Sequence, residues 1–162
     1  MKIIVRPLTP ERWPDLEAVF GAAGCSVARN RWCMYYRRSG SRGDLPAGIT
    51  HAQANRGELK ALVDSDQPPG LIGYNGKVPV GWISLGPREE FLKLRRSPVM
   101  KAVDETPVWS IICSVVPSRF RGQGVARAML AGAMTYARQH GAEVLEAYPV
   151  DTTRRTHDES MW

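Results

Sequence analysis

Within "PSRFRGQGVARAML", residues 117–130, two arginines and two glycines fill the stretch from Arg119 to Gly124, directly ahead of apolar, helix-forming residues. Glycine lets a backbone turn tightly and lets a ligand approach it closely. The first N–H groups of a helix have no intrahelical partner, and the helix dipole leaves partial positive charge at that end. A phosphate placed there accepts those N–H groups, and Arg121 and Arg127 can add charge-assisted hydrogen bonds. The turn lacks the Lys-Ser/Thr ending of a Walker A loop. It also departs from the dinucleotide pattern G-x-G-x-x-G, because Arg127 stands where the third small residue belongs. A tight turn that binds nothing is the competing reading. Side chains that could move a proton include Glu89, Glu90, Glu146 and Tyr148. Glu146 and Tyr148 are two apart on an expected strand and so share a face.

These residues need elements to position them. Ile3, Ile4 and Val5 open a short strand. Thr9 and Pro10 start a helix whose Leu16, Val19 and Phe20 recur at helical spacing, with Gly24 as its stop. "RNRWCMYYRR" is dense in aromatics and reads either as a half-buried strand or loop, or as one wall of an apolar pocket. A helix follows Thr50, carrying Leu59, Leu62 and Val63 on one side. Asn75-Gly76 predicts a hairpin between strands near 71–74 and 78–85, with positive φ at both turn residues. Residues 88–106 form a mixed connection. "PVWSIICSVVP" predicts a buried central strand over 108–116. A helix over 125–140 follows the glycine turn, with Met129, Leu130, Ala133, Met134 and Ala137 as its apolar stripe and Gly141 as its stop. A last strand spans 143–150, and a polar loop leads to Trp162.

The chain's 162 residues suit one domain, with ordinary apolar (43%) and charged (23%) fractions. No apolar run approaches the roughly 20 residues of a membrane span, and the N-terminus lacks the apolar stretch of a signal peptide. The expected location is the cytoplasm. Cys25, Cys33 and Cys113 are odd in number and fit no common zinc spacing, so reduced thiols and no metal are expected. Cys113 reads as a buried structural thiol rather than a nucleophile. A net charge of +6 favours an anionic partner: nucleic acid, acidic lipid or a polyphosphate cofactor. No helix-turn-helix, RNA-recognition or zinc-finger pattern supports a nucleic-acid partner.

Arg121-Gly122-Gln123-Gly124-Val125-Ala126 resembles the R/Q-x-x-G-x-G/A signature of the GNAT superfamily of N-acetyltransferases, with Arg121, Gly124 and Ala126 at its fixed positions. The order of elements over residues 1–150 is similar to that family's as well. The resemblance implies a mixed α/β (α+β) fold with a central mixed sheet flanked by helices, and acetyl-CoA as co-substrate. It implies that the backbone of Gln123, Gly124, Val125 and Ala126 holds the pyrophosphate, with Arg121, Gly122 and Arg127 alongside. It further implies that Ser114, Val115 and Val116 pair with the pantetheine arm. The Ser114 N–H would then polarise the thioester carbonyl.

The implied reaction is direct attack of an amine, from a small molecule or a peptide, on that thioester. Glu146 is then a candidate base, or a solvent-facing strand carboxylate, and Tyr148 a proton donor or a pocket wall. Relatives continue past the 143–150 strand with a helix and two more strands, and the tyrosine that often serves as general acid near that helix has no counterpart here. The expectation is a single 1–162 domain that is C-terminally incomplete, its last strand covered by further polypeptide or by a second copy in a homodimer. A CoA-binding or regulatory module without catalysis, and a basic nucleic-acid-binding protein, are the alternative functions.

Overall fold

The computed structural model describes residues 1–38 and 43–149. Val150, at the end of the expected last strand, and the polar loop after it lie outside the described residues.

Five strands form one sheet in the order β1-β2-β3-β4-β5. They are β1 (Ile3–Pro7), β2 (Gly70–Asn75), β3 (Val78–Pro87), β4 (Trp109–Val115) and β5 (Leu145–Ala147). The first four pair antiparallel, and β4 pairs with β5 in parallel. Alternation along the strands sends side chains to both faces, and both are covered. One face packs Ile72 and Trp82 against α1 (Trp13–Gly21), α2 (Ser26–Arg31) and α3 (His51–Asp64), through Leu16, Phe20, Ala28 and Leu59. Between β3 and β4 lies a short helix, α4 (Leu92–Arg96). The other face packs Leu71, Ile83, Leu85 and Ile111 against Met129, Ala133 and Ala137 of α5 (Val125–Gln139). Each large side chain taken fully from water contributes about 1.5–3 kcal/mol. Gly132 lets α5 lie close on the sheet: a Cβ there would stand 2.6 Å from the Cβ of Val5.

Several expectations shift in detail. The first helix begins as a 3-10 turn at Pro10–Arg12, because Pro14 sits in the first turn of α1, and α1 stops at Gly21 rather than Gly24. The aromatic stretch is neither strand nor plain loop. It starts in α2, which ends in two successive left-handed residues, Trp32 (φ 49°) and Cys33 (φ 53°). Tertiary packing overrides their preference, since Trp32 stacks on Trp13 at 5.6 Å and meets Phe20 at 5.1 Å. The capping box of Thr50 and Gln53 starts α3 at the expected place. In the hairpin Asn75 pairs with Val78, so Gly76 and Lys77 are the turn residues, and only Gly76 has positive φ. Glycine at the first turn position suits a type II′ turn rather than the expected I′. Of the α5 stripe, Leu130 and Met134 stay 45% and 49% exposed, and Val144, ahead of β5, is exposed as well.

Two irregularities open the sheet. Ser84 pairs with Cys113 and Leu85 with Ile111, so Ile112 is an extra residue that bulges β4. β5 is only three residues long, and its pairing with β4 ends at Ile111–Ala147. Beyond that point the two parallel strands part.

Candidate active site

The glycine-rich turn lies where the sequence places it. After β4 come a 3-10 turn at Ser118–Phe120 and then Gly122 (φ 71°) and Gly124 (φ 81°), the latter capping α5. Apart from its chain neighbours, no described residue lies within 4 Å of a Cβ built on either glycine. Both border a hollow of about 360 Å³ that Val125, Ala126 and Arg127 also line. A hollow faced by the N-terminus of a fifteen-residue helix fits a pyrophosphate.

Arg121 serves the turn in a way that its charge alone does not suggest. Its Nε donates to the Val116 carbonyl at 3.0 Å, and a terminal nitrogen donates to the Gly24 carbonyl at 2.8 Å. The Ser118 N–H and hydroxyl both donate to the Ala23 carbonyl at 3.0 Å. The α1–α2 junction and the β4–α5 turn are thereby tied together. Gln123 braces the turn from within, donating to the Arg119 carbonyl at 2.7 Å. Arg127 is exposed.

The parting of β4 and β5 leaves the stretch from Ile112 to Val116 without a partner on that side among the described residues. Ser114 and Val115 pair with Ile83 and Trp82 on the other side. A cleft of about 640 Å³ runs along this edge, from Arg121 and Ala126 past Ser114, Val115 and Val116 to Tyr148. Its opposite wall is α2 and the residues after it, with Arg31, Cys33, Tyr35 and Tyr36 facing in. The pocket-wall reading of the aromatic stretch therefore holds for its tyrosines, whereas Trp32 belongs to the core. The Cys33 and Cys113 thiols meet across the cleft floor, sulfur to sulfur at 2.6 Å. The hydrogen bond with Cys33 and then burial push the Cys113 thiol well above its ordinary value. All three cysteines are free.

Glu146 and Tyr148 do share a face, and their chemistry is set by a residue that sequence reasoning passed over. Arg88, at the start of a 3-10 turn after β3, donates through Nη1 to Glu146 Oε1 at 2.6 Å and to the Tyr148 hydroxyl at 2.5 Å. Its Nη2 bonds the carbonyls of Leu94, at 3.2 Å, and Met100. Glu146 Oε1 also accepts from Ser110 Oγ at 2.6 Å and from the Tyr148 hydroxyl. Burial is the largest influence on Glu146 and raises its carboxyl. The bonds from Ser110, Tyr148 and Arg88 and the guanidinium charge together outweigh it, so the carboxyl lies below its ordinary value. Burial first, and then the bond to Glu146, push the Tyr148 phenol up to about 12.

Glu89 and Glu90 are exposed on that 3-10 turn and do not line the cleft, and Glu90 pairs with Arg37 at 3.5 Å. No local signal marked Arg88 in advance, because the partners of its guanidinium come from residues 94, 100, 146 and 148.

The comparisons with known proteins agree with this architecture. A family model described as "Acetyltransferase (GNAT) family" matches residues 26–158. No curated protein matches the sequence. Similar solved structures include AAC(6')-Iy in complex with a CoA-linked bisubstrate analogue, at 15% identity and a TM-score of 0.57, over 94% of this chain and 82% of that one. Aminoglycoside antibiotic 6'-N-acetyltransferase AAC(6')-Ih from Acinetobacter baumannii is 13% identical, with a TM-score of 0.55 over 94% and 83% of the two chains. Polyamine N-acetyltransferase from Drosophila melanogaster is also 13% identical, with a TM-score of 0.55 over 94% and 78%. At such identities the likeness is one of fold. Among the described residues no helix is long and apolar enough to cross a membrane. The family match spans most of the chain and includes the β4–α5 turn and the cleft beside it, so the chain belongs to the GNAT family of acetyltransferases.

Proposed function

We propose that the chain transfers the acetyl group of acetyl-CoA to an amine that enters the aromatic end of the cleft. The observation carrying this reading is the continuity of the cleft of about 640 Å³, from Arg121 and Ala126, along Ser114–Val116, to Tyr35, Tyr36 and Tyr148. Acetyl-CoA, when bound, supplies an activated thioester. The backbone N–H groups of Gln123, Gly124, Val125 and Ala126 hold its pyrophosphate, and Arg127 adds attraction from an exposed position. Arg121 contributes by fixing the shape of the turn through its two carbonyl contacts. The free edge at Ser114, Val115 and Val116 receives the pantetheine arm as it would an added strand. The Ser114 N–H is the donor toward the thioester oxygen.

Proton traffic divides between two groups. Tyr148, with its phenol up near 12, keeps its proton at neutral pH and donates it to the sulfur that leaves as the amine nitrogen bonds the acetyl carbon. Glu146 is a weak proton acceptor at that pH, since three donors already occupy Oε1. It positions Tyr148, and the amine's proton leaves to water at the open mouth of the cleft.

The same commitment of Glu146 favours a second reading, a CoA-binding module without turnover. Calorimetry with CoA, followed by incubation with acetyl-CoA and a panel of amines while free CoA is measured, separates the two. Amine-dependent release of CoA supports the transferase. Tight CoA binding with no release for any amine supports the module.

A further inference from the structure

The acceptor end of the cleft carries positive charge with no counterion among the described residues. Arg31 lines it, and its Nη1 is buried without a hydrogen-bond partner. Tyr35 is flanked by two cations, the Arg31 guanidinium 5.7 Å from its ring centre and the Lys93 ammonium 3.6 Å from it. Among the described residues neither Arg31 nor Lys93 has a carboxylate partner. The adjacent cation Arg38 is neutralised by Glu58 at 3.0 Å. Among the described residues no carboxylate lines this cleft. Burial and the charges of Arg38 and Arg31 lower the Lys93 ammonium, as expected where like charges crowd together unrelieved. A buried guanidinium nitrogen without a partner is costly, and native proteins keep few of them.

Building on the transferase reading above, we infer that the acceptor amine carries an anionic group, a carboxylate or a phosphate, which completes the Arg31–Lys93 pair. The guanidinium fork suits either group bidentately. Val27, Ala28 and Tyr36 beside it accept an apolar body. A polycationic acceptor would meet like charge at the same place, and its ammonium groups would find no carboxylate among the described residues that line it.

The test is a matched panel with acetyl-CoA and the full chain, reading release of CoA. It comprises free α-amino acids, their neutral amides, O-phosphoethanolamine against ethanolamine, and spermidine. CoA affinity is measured alongside. The expected result is a kcat/KM at least about tenfold higher for the anionic member of a pair, carried by KM. The amino-acid and phosphate arms tell the two anions apart. Arg31→Gln should bring each ratio toward unity, and Arg31→Lys should restore part of it. Lys93→Gln is a second, independent variant that should lower the same ratio. A chain that binds CoA and acetylates the amides and ethanolamine as well as their anionic counterparts, or spermidine as well as the anionic amines, overturns the inference and leaves the transferase reading standing. A chain that binds CoA and acetylates nothing in any arm overturns both.

Discussion

At the Gly122–Ala126 end of the cleft the working parts are backbone. Two left-handed glycines and a helix N-terminus shape a hollow, and side chains such as Arg121 and Gln123 turn inward to brace it. At the Tyr148 end the working parts are four side chains: Arg88 holds Glu146 and Tyr148, and Ser110 donates to Glu146. A backbone device tolerates exchange of its outer side chains but not of its glycines. A side-chain network has the opposite sensitivity, and removing one member leaves the others partly buried and unpaired. Ranking mutants at the two ends tests that contrast.

The largest expected effect is on stability, at the side-chain end. Glu146→Ala removes the acceptor for Arg88, Ser110 and Tyr148 and leaves Arg88, whose side chain is 12% exposed, without its charge partner. The expected cost is about 3 kcal/mol, read as a fall of about 6–12 °C in Tm. A cost near zero in chemical denaturation would show that this end does not depend on its network. The same carboxylate fixes a pH dependence. Its folded value is depressed, so its contribution is complete above the unfolded carboxyl value of about 4.3 and is lost as pH falls through the lower folded value. Below about pH 4 the wild-type chain should therefore lose stability faster than Glu146→Gln.

Next comes the backbone end. Gly124→Val forces a branched residue to φ 81° and fills part of the hollow, so CoA affinity should fall by more than about tenfold. Unchanged affinity by calorimetry would move the phosphate site elsewhere. Gly124→Ala, at the same φ but with less bulk, separates strain from filling.

Arg121→Gln should have a smaller effect, about 1 kcal/mol in stability, through loss of exposed bonds to Val116 and Gly24. If it weakens CoA binding as strongly as Gly124→Val does, then the guanidinium touches the ligand and the backbone account of this end is incomplete. Smallest of all, Arg127→Ala should weaken CoA about twofold at low salt, and the difference should vanish in high salt. A larger, salt-resistant loss would mean a direct contact.

The turn was legible because everything it needs is contiguous. Gly122, Gly124 and the apolar run after them specify a left-handed turn and a helix start within ten residues. Helix α3 was legible for the same reason, through the spacing of Leu59, Leu62 and Val63 after Thr50. The hairpin was found, but its turn type was not, because the register is set by β2 and β3 pairing over their whole length. Helix α2 was missed because Trp32 and Cys33 hold their left-handed conformation only with Trp13 and Phe20 packed against the indole.

The sequence by itself therefore determined the order of the strands and of helices α1, α3 and α5, the glycine turn at the head of α5, the family, and the nearness of Glu146 and Tyr148. Local preference and short-range periodicity act over a few residues, and they suffice for those features. Only the tertiary structure decided what the pair can do. Arg88 reaches Glu146 across 58 residues, Cys33 reaches Cys113 across 80, and Ile112 bulges because β3 dictates the register of β4. Proton affinity and charge balance depend on distance in space and on burial, and neither is a property of neighbouring letters in a chain.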